Sequence, residues 1–430
     1  MRDVAVVGAG VGGLHLGLLL QQREVPVTLY AERPAAEMRS GPRLMNTAGH
    51  WVPTRERERE LEVDHWDEVF PRVAKLNVMV SGQLPLEFSA DLGMGPIAVD
   101  YRVQMARLLE DFIERGGNVV YGAVARESLE EMSEQHDLVV VSSGRGTMAE
   151  LFPRIPERSP YTRPQRVLQI SACRGVEIGA ETGTTSINYE LSPGIGELLL
   201  FPYYTADGLF CIVYISAASD GPLPELLNAD LAGHEDRDGI NSVFRNVVSG
   251  FFPWSDERID WDQFTTVGPR YDIAGAITPT VRRPYAQLEN GRWVLALGDV
   301  HTVNDPLLGQ GSNSASACAF IVGDAIVQDP FDFDEVWCER VAGRMWERAG
   351  AAVEFTNSLL QVPPAPQVIE LLATAANSEE MAEMVGSFFG DPTLARNVLA
   401  SPARTRNAIK LVAGEPVLEN VMLALGAQPA

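Results

Sequence analysis

Short runs of apolar residues at the start of the chain predict buried parallel strands. Val4–Val7 leads into a glycine-rich turn and then a helical apolar run over 14–20, and the next strand is predicted at Pro26–Tyr30. Continuous apolar runs of this length are typical of strands that are covered on both faces of a parallel sheet. The order strand, turn, helix, strand predicts the beginning of a doubly wound α/β domain.

Later segments first extend this pattern and then change it. Apolar positions at helical spacing, followed by Gly116, predict an amphipathic helix over 101–115, and further buried strands are predicted at 119–121, 138–141 and 294–297. Between about 160 and 285, runs rich in Thr, Val and Tyr are separated by Pro and Gly, which predicts a mainly antiparallel sheet. After Gly311 the pattern is helical nearly to the end.

The glycines after the first strand match a dinucleotide-binding fingerprint. Gly8 allows a tight turn, Gly10 lets the backbone approach a pyrophosphate, and Gly13 lets the helix pack closely on the sheet. Glu32 lies nineteen residues beyond Gly13, just past the second strand, where a carboxylate can accept hydrogen bonds from a ribose diol. The alternative is a glycine-rich turn followed by a solvated loop acid.

Charge and cysteine content narrow the possible partners. The chain has 430 residues and a formal net charge of −24, which disfavours binding to nucleic acid or to an anionic membrane. The four cysteines are far apart and form no cluster with histidine, so neither a metal site nor a disulfide framework is expected. With no predicted signal peptide and no apolar run near the ~20 residues that a membrane helix needs, a cytoplasmic protein is expected.

A second glycine motif follows the predicted strand at 294–297. Asp299 comes directly after this strand, and the run from Asp305 to Asn313 contains Gly309 and Gly311 ahead of a helix of small residues. This arrangement resembles the second FAD-binding motif of aromatic-hydroxylase-type flavoprotein monooxygenases. The resemblance implies that Asp299 holds the ribityl and pyrophosphate region, and that Gly309, Gly311 and Asn313 lie against the flavin.

Over most of its length the chain is similar to styrene and indole monooxygenases. The similarity is carried by the motifs Val6-Val-Gly-Ala-Gly10, Arg43-Leu-Met-Asn-Thr47, Val99-Asp-Tyr-Arg102 and Asp305-Pro, besides the glycine motifs. It implies a two-component system: a separate reductase uses NADH to make reduced FAD, which this protein binds and reacts with O2. The resulting C4a-hydroperoxide would epoxidise an apolar aromatic alkene or an indole-like substrate.

The site residues follow from the same resemblance. Asn46 and Thr47 match the active-site Asn-Thr pair and are expected to line the reactive face of the flavin, and Pro306 is expected to form a rigid wall over it. Arg43 and Arg102 are candidates to neutralise the FAD phosphates, with surface ion pairs as the alternative. An Asn/Thr turn that only caps the segment before His50 is the alternative for the pair.

The strand at 138–141 ends at Gly144, a further candidate for cofactor contact. Single-component hydroxylases carry an Asp-Gly motif near this position, and here it is missing, as is a second GxGxxG. Both absences favour external reduction of the flavin. The alternatives are a single-component NAD(P)H-dependent aromatic hydroxylase and a non-catalytic FAD carrier, and a homodimer is plausible from the resemblance.

The expected architecture is an aromatic-hydroxylase-like α/β fold. It has a Rossmann-like FAD-binding domain, an inserted mainly antiparallel β-sheet substrate domain and a C-terminal helical region. The predicted bounds are 1–160 for the first part of the FAD-binding domain, with a β excursion near 76–100, then 161–285 for the substrate domain, 286–330 for the return and 331–430 for the helical region. The stretch at 70–80 lacks the aromatic residues typical of the family, which predicts a differently shaped substrate pocket.

Overall fold

Two large β-sheets and a set of C-terminal helices organise the chain. In the computed structural model, the described residues are 2–82, 85–144, 146–177, 179, 184–227 and 236–414. The strands are, in chain order, β1 (Val4–Val7), β2 (Val27–Ala31), β3 (Arg72–Val80), β4 (Leu86–Asp91), β5 (Asn118–Tyr121), β6 (Leu138–Val141), β7 (Arg166–Arg174), β8 (Thr184–Ser192), β9 (Gly196–Thr205), β10 (Gly208–Ala218), β11 (Thr265–Thr266), β12 (Asp272–Ala276), β13 (Thr280–Val281), β14 (Tyr285–Gln287), β15 (Trp293–Ala296) and β16 (Thr302–Val303).

The helices cover the sheets and form the C-terminal part of the fold. They are α1 (Val11–Gln22), α2 (Ala35–Arg39), α3 (Val52–Glu60), α4 (Tyr101–Glu114), α5 (Ser128–Gln135), α6 (Leu223–Leu227), α7 (Arg237–Phe251), α8 (Pro253–Asp256), α9 (Gln310–Gln328), α10 (Glu335–Leu360), α11 (Pro366–Ala375), α12 (Glu379–Ser387), α13 (Pro392–Leu399) and α14 (Pro402–Val412). None of the described helices is long and apolar enough to span a lipid bilayer.

The first sheet has the strand order β14-β15-β6-β1-β2-β5. β1 is parallel to β2 and to β6, and β15 is parallel to β6, so only β14 runs in the opposite direction. Every residue of β1 and β6 is buried, and α1 is buried from Val11 to Leu20, because helices cover both faces of this sheet. The predicted Rossmann-like arrangement is therefore confirmed.

The second sheet has eight strands and is antiparallel except where β3 runs parallel to β8. It confirms the predicted inserted sheet, and it also contains β3 and β4, from Arg72 to Asp91, in the region of the early β excursion predicted near 76–100. The chain returns to the first sheet at Tyr285, within the segment assigned to the substrate domain. The domain bounds themselves remain predictions.

The sequence-based expectation for the middle of the chain lacked three of the described helices, α6, α7 and α8, of which α7 is the longest. α7 lies within the segment predicted to be mainly strands, and it packs on the second sheet through Ile240, Phe244, Val247 and Val248. These four residues recur at helical spacing, so the amphipathic signal was present.

The C-terminal helices take up two positions. α9 packs on α1 so closely that a Cβ at Gly323 would lie 2.5 Å from the side chain of Leu19, whereas α11 to α14 cover β3, β4 and β8 of the second sheet. The helical pattern breaks after Leu360, shortly before Pro363 and Pro364, which do not continue a helix. Pro392 begins α13, where its missing N–H costs no helical hydrogen bond.

Candidate active site

The carboxyl ends of β1, β6 and β15 bring three turns together. Gly8 has φ +114°, and a Cβ built there would lie 2.4 Å from the carbonyl oxygen of Ser142, directly after β6. Gly13 is equally constrained, since its Cβ would lie 1.9 Å from the carbonyl oxygen of Gly8. The side chain of Ser142 also faces the backbone of Gly298, after β15, with 3.7 Å between its Oγ and a Cβ built there. Ligands of doubly wound folds bind at this edge of the sheet.

Two helices begin at this edge without a side-chain cap. α1 starts after Gly10, where a Cβ would meet no atom within 4 Å, and α9 starts after Gly309, which has φ +60°. The first N–H groups of both helices therefore have no capping side chain, and Gly10 also leaves open space in front of α1. Such N–H groups bind phosphate oxygens and other negative charge. This cradle fits the diphosphate and ring of FAD.

Two further predicted residues lie at the rim of the cradle. Glu32 follows β2 with its side chain 69% exposed, and it pairs with Arg33 at 3.0 Å. Gly144 has φ +88° and open space in front of it. Both positions leave room for a ligand, and their roles in binding remain proposals.

A cavity of about 200 Å³ lies next to the start of α9. One side is formed by the segments 45–49 and 303–309, and the other by the apolar surface of the second sheet. It brings together six of the predicted site residues, which are Asn46, Thr47, Asp299, Pro306, Gly309 and Gly311. The combination of an apolar wall and a few polar groups is typical of a small-molecule site.

Asn46 is held in place by two hydrogen bonds. Its Oδ1 accepts the N–H of Ala48 at 2.7 Å, and its main-chain oxygen accepts the hydroxyl of Tyr203 at 2.8 Å. The Nδ2 group has no partner among the described residues and remains a donor at the cavity wall. Thr47, beside it, is buried. The segment 46–48 thus forms the Asn/Thr turn that was the alternative interpretation of this pair, and it also lines the cavity.

Two polar residues of this cavity, Asn304 and Asp305, were not among the predicted site residues. Asn304 is 9% exposed, and neither its Oδ1 nor its Nδ2 has a hydrogen-bond partner in the described part of the chain. Buried amides are normally bonded, so an unpaired one that lines a cavity points to a ligand. The only available signal was its place between Asp299 and Asp305, inside the second FAD motif.

Asp305 is the second missed residue. Burial raises the pKa of this carboxyl to about 6, although the N–H of Leu307, at 3.1 Å, and the charge of Arg166 oppose that shift. A carboxyl that titrates near neutrality inside a cavity is a functional-site candidate. The motif was recognised in the sequence for its proline and its glycines, and this acid was not assigned a role.

The structure corrects the assignment of Asn313. Its Oδ1 accepts the N–H of Trp51 at 3.0 Å and the hydroxyl of Thr54 at 2.8 Å. Its Nδ2 donates to the carbonyl oxygens of Gly49 at 2.9 Å and Gly309 at 3.0 Å. An amide can make four such bonds, so none is left for a cofactor. Asn313 instead ties the start of α9 to the segment 49–54.

Arg102 is also reassigned. Its guanidinium is 1% exposed, makes an ion pair with Asp100, and donates to the carbonyl oxygens of Gly41 at 3.0 Å and Arg270 at 3.2 Å. A cation that is buried and paired in this way does not reach phosphate groups. Arg43, by contrast, is exposed and has no ion-pair partner among the described residues.

Comparison with solved structures defines the class of the fold. The chain superposes on the flavin-dependent halogenase CmlS with a TM-score of 0.62 and 16% identity over 97% of this chain and 74% of that one. It superposes on PqsL of P. aeruginosa, in complex with 2-aminobenzoylacetate, with a TM-score of 0.59 and 17% identity over 90% and 99%. The chain therefore shares its overall fold with these two proteins.

Sequence comparison narrows the class to one family. The chain is 33% identical to the styrene monooxygenase StyA of Pseudomonas fluorescens over 407 residues, which cover 94% of this chain and 96% of that one. A StyA from Pseudomonas sp matches equally, and residues 144–258 match the family described as "Styrene monooxygenase A putative substrate binding domain". The chain belongs to the styrene monooxygenase family of FAD-dependent monooxygenases. This membership favours a monooxygenase over the carrier module and the single-component hydroxylase.

Proposed function

We propose that this chain binds reduced FAD made by a separate NADH-dependent reductase and transfers one oxygen atom of O2 to an apolar aromatic alkene or an indole-like substrate. The product is an epoxide, the second oxygen atom leaves as water, and the two electrons come from the reduced flavin. The observation that carries the proposal is the apolar cavity that lies directly beside the uncapped start of α9 and contains Asn46, Thr47 and Pro306.

Reduced FAD, when bound, supplies the electrons and an activated, electrophilic oxygen atom. The chain supplies the binding site through its two glycine turns, through Glu32 for the ribose, and through Arg43 for the phosphates. Gly144 and Asp299 extend this contact surface at the ends of β6 and β15. The N–H groups at the start of α9 favour negative charge on the flavin ring, which increases on reduction.

Asn46, Thr47 and Pro306 act on the side of the cavity that the substrate occupies. The Nδ2 of Asn46 donates a hydrogen bond to the reacting oxygen but offers no strong base, so it does not promote loss of hydrogen peroxide. Thr47 and the ring of Pro306 complete a wall that excludes water. Asn304, with its unpaired amide, is positioned to orient the flavin or the substrate.

The substrate side of the cavity supports an apolar aromatic molecule. Val73 and Leu76, from the segment that departs from the family pattern, line it together with Phe201 and Tyr214. Aliphatic side chains at 73 and 76 give the cavity a shape of its own, and so a substrate range of its own within the family.

A separate reductase is part of the proposal because the reaction consumes reduced flavin. A cytoplasmic location is proposed because such a reductase uses NADH. The four cysteines are buried, free thiols, which suits that compartment. A homodimer is proposed from the family resemblance alone.

The proposal is tested with chemically reduced FAD and no reductase. The full chain with reduced FAD is mixed with oxygenated buffer, with styrene or indole present or absent, and epoxide and hydrogen peroxide are measured. We expect product in proportion to reduced FAD only when the aromatic is present, with correspondingly less peroxide. Stoichiometric peroxide with either substrate would contradict the proposal, and consumption of NADPH without reductase would favour the single-component hydroxylase.

A further inference from the structure

A second cavity, of about 120 Å³, lies beside the flavin-facing cavity. β3, β4 and β8 form one side of it and α10, α11 and α12 the other. Every residue that lines it is apolar or aromatic, and the hydroxyl of Tyr189 is the single polar side-chain group among them. Polar groups that would hold water are therefore scarce, and an apolar space of this kind favours an apolar ligand.

The two cavities are separated by a thin wall. Leu76, Tyr189 and Phe389 line both of them. The ring of Phe389 packs on Trp51 of the first cavity at 5.1 Å between centroids and on Phe355 of the second at 5.8 Å. The main-chain oxygen of Phe389 accepts a hydrogen bond from Gln310 at 2.9 Å, which fixes the backbone of this residue. Because its ring contacts residues of both cavities, a change in the orientation of this side chain would alter the wall between them.

The far end of the second cavity reaches the protein surface. Pro193 is exposed there, and Leu359 and Pro364 are half-buried. The cavity therefore extends from solvent to the wall of the flavin-facing site. None of the residues that line this second cavity belongs to the glycine turns, so a route through it avoids the cofactor side of the site.

We propose that the second cavity is a binding site for a small apolar aromatic molecule, which substrate occupies on its way to the flavin-facing cavity. Its volume is comparable to that of the roughly 150 Å³ apolar cavity known to bind benzene. The role as a substrate station rests on the proposed function, whereas binding of the aromatic molecule does not.

Binding is tested on the flavin-free full chain with fluorobenzene as the probe, followed by 19F NMR. The wild-type chain is expected to bind two molecules. Val368→Phe fills the second cavity from α11 and is expected to remove one of the two sites. Leu372→Phe is the second variant, in case Val368→Phe fails to fold. It fills the cavity from a half-buried position that tolerates a larger side chain, and it is expected to remove the same site. The matched control, Val336→Phe, makes the same change at a position 66% exposed on α10 and keeps both sites.

Kinetics test the role as a substrate station. With reduced FAD supplied, Val368→Phe and Leu372→Phe are expected to raise KM for styrene several-fold at unchanged kcat, while Val336→Phe leaves both constants unchanged. A single fluorobenzene site in the wild-type chain, or two sites in both filled variants, would overturn the inference. Unaltered KM in variants that have lost the second site would overturn the station role. Two sites in a chain that forms no oxygenated product would refute the proposed function and leave the binding site standing.

Discussion

The turn after β1 and the wall of the flavin-facing cavity are built in opposite ways. The turn depends on the absence of side chains at Gly8, Gly10 and Gly13, and the spacing of these three glycines alone sets the geometry of the turn. The cavity wall takes Asn46 from a loop and Tyr214 from β10, so it depends on packing between distant parts of the chain. The cofactor side is thus defined locally, and the substrate side by the tertiary fold.

The largest effect should come from the turn itself. Gly13→Val places a side chain against the carbonyl oxygen of Gly8, and we expect it to abolish FAD binding and to cost on the order of 4 kcal/mol of unfolding free energy. Gly10→Ala is the matched change, since its Cβ meets no protein atom within 4 Å. It should weaken FAD binding at least tenfold, with stability changed by less than about 0.5 kcal/mol. Fluorescence titration with FAD measures the affinity of each variant, and urea unfolding measures its stability. Equal stability of the two variants would contradict the expected difference between Gly13 and Gly10.

Two asparagines near the cavity should respond differently to substitution, because Asn313 has a structural role and Asn46 a proposed role in the reaction. Asn313→Ala removes four hydrogen bonds, of which those with Trp51 and Thr54 are buried, and should cost about 3 kcal/mol of unfolding free energy. Asn46→Ala should lower stability by less and shift the products from epoxide towards hydrogen peroxide. Urea unfolding measures the loss of stability in each variant, and the ratio of epoxide to peroxide measures the effect on the reaction. If Asn46→Ala kept the wild-type product ratio, the role assigned to its Nδ2 would be wrong.

Asp305 should give a pH-dependent difference in stability. Burial raises its pKa from 3.8 to about 6, so its protonated form is favoured in the folded state. The contribution of this group to the free energy of unfolding is therefore lost as the pH rises through 6. Asp305→Asn has no such group. Relative to the wild-type chain, the variant should therefore gain about 2 kcal/mol of unfolding free energy between about pH 4 and pH 7. Urea unfolding of both proteins across this range provides the measurement, and a constant difference would exclude the raised pKa.

The smallest effect is expected at the exposed rim. Glu32→Ala removes one hydrogen-bonding carboxylate from the ribose position, which should weaken FAD binding by about 1 kcal/mol, or roughly fivefold. Stability should stay within about 0.5 kcal/mol because the side chain is exposed. Glu60→Ala, at another exposed ion pair, serves as the control and should leave FAD affinity unchanged. Equal affinities in the two variants would remove Glu32 from the site.

Local signals predicted the first sheet, the glycine turns and the position of α9. Arg102 and Asn313 were misassigned because the types of residue that bind a cofactor also satisfy buried backbone groups, and only the tertiary structure shows which partners they have. Asn304 could not be recognised from spacing, since its significance lies in the partners it lacks. The helix α7 was missed although its apolar spacing was visible, because the surrounding segments predicted strands.

The four hydrogen bonds of Asn313 also bear on turnover. They hold the start of α9 against the segment 49–54 within the protein alone, so this part of the site does not have to become ordered each time a flavin arrives. Binding to a preorganised site loses little conformational entropy, and release leaves no unfolded loop behind. The preorganised start of α9 therefore suits the repeated binding and release of flavin that the proposed function requires.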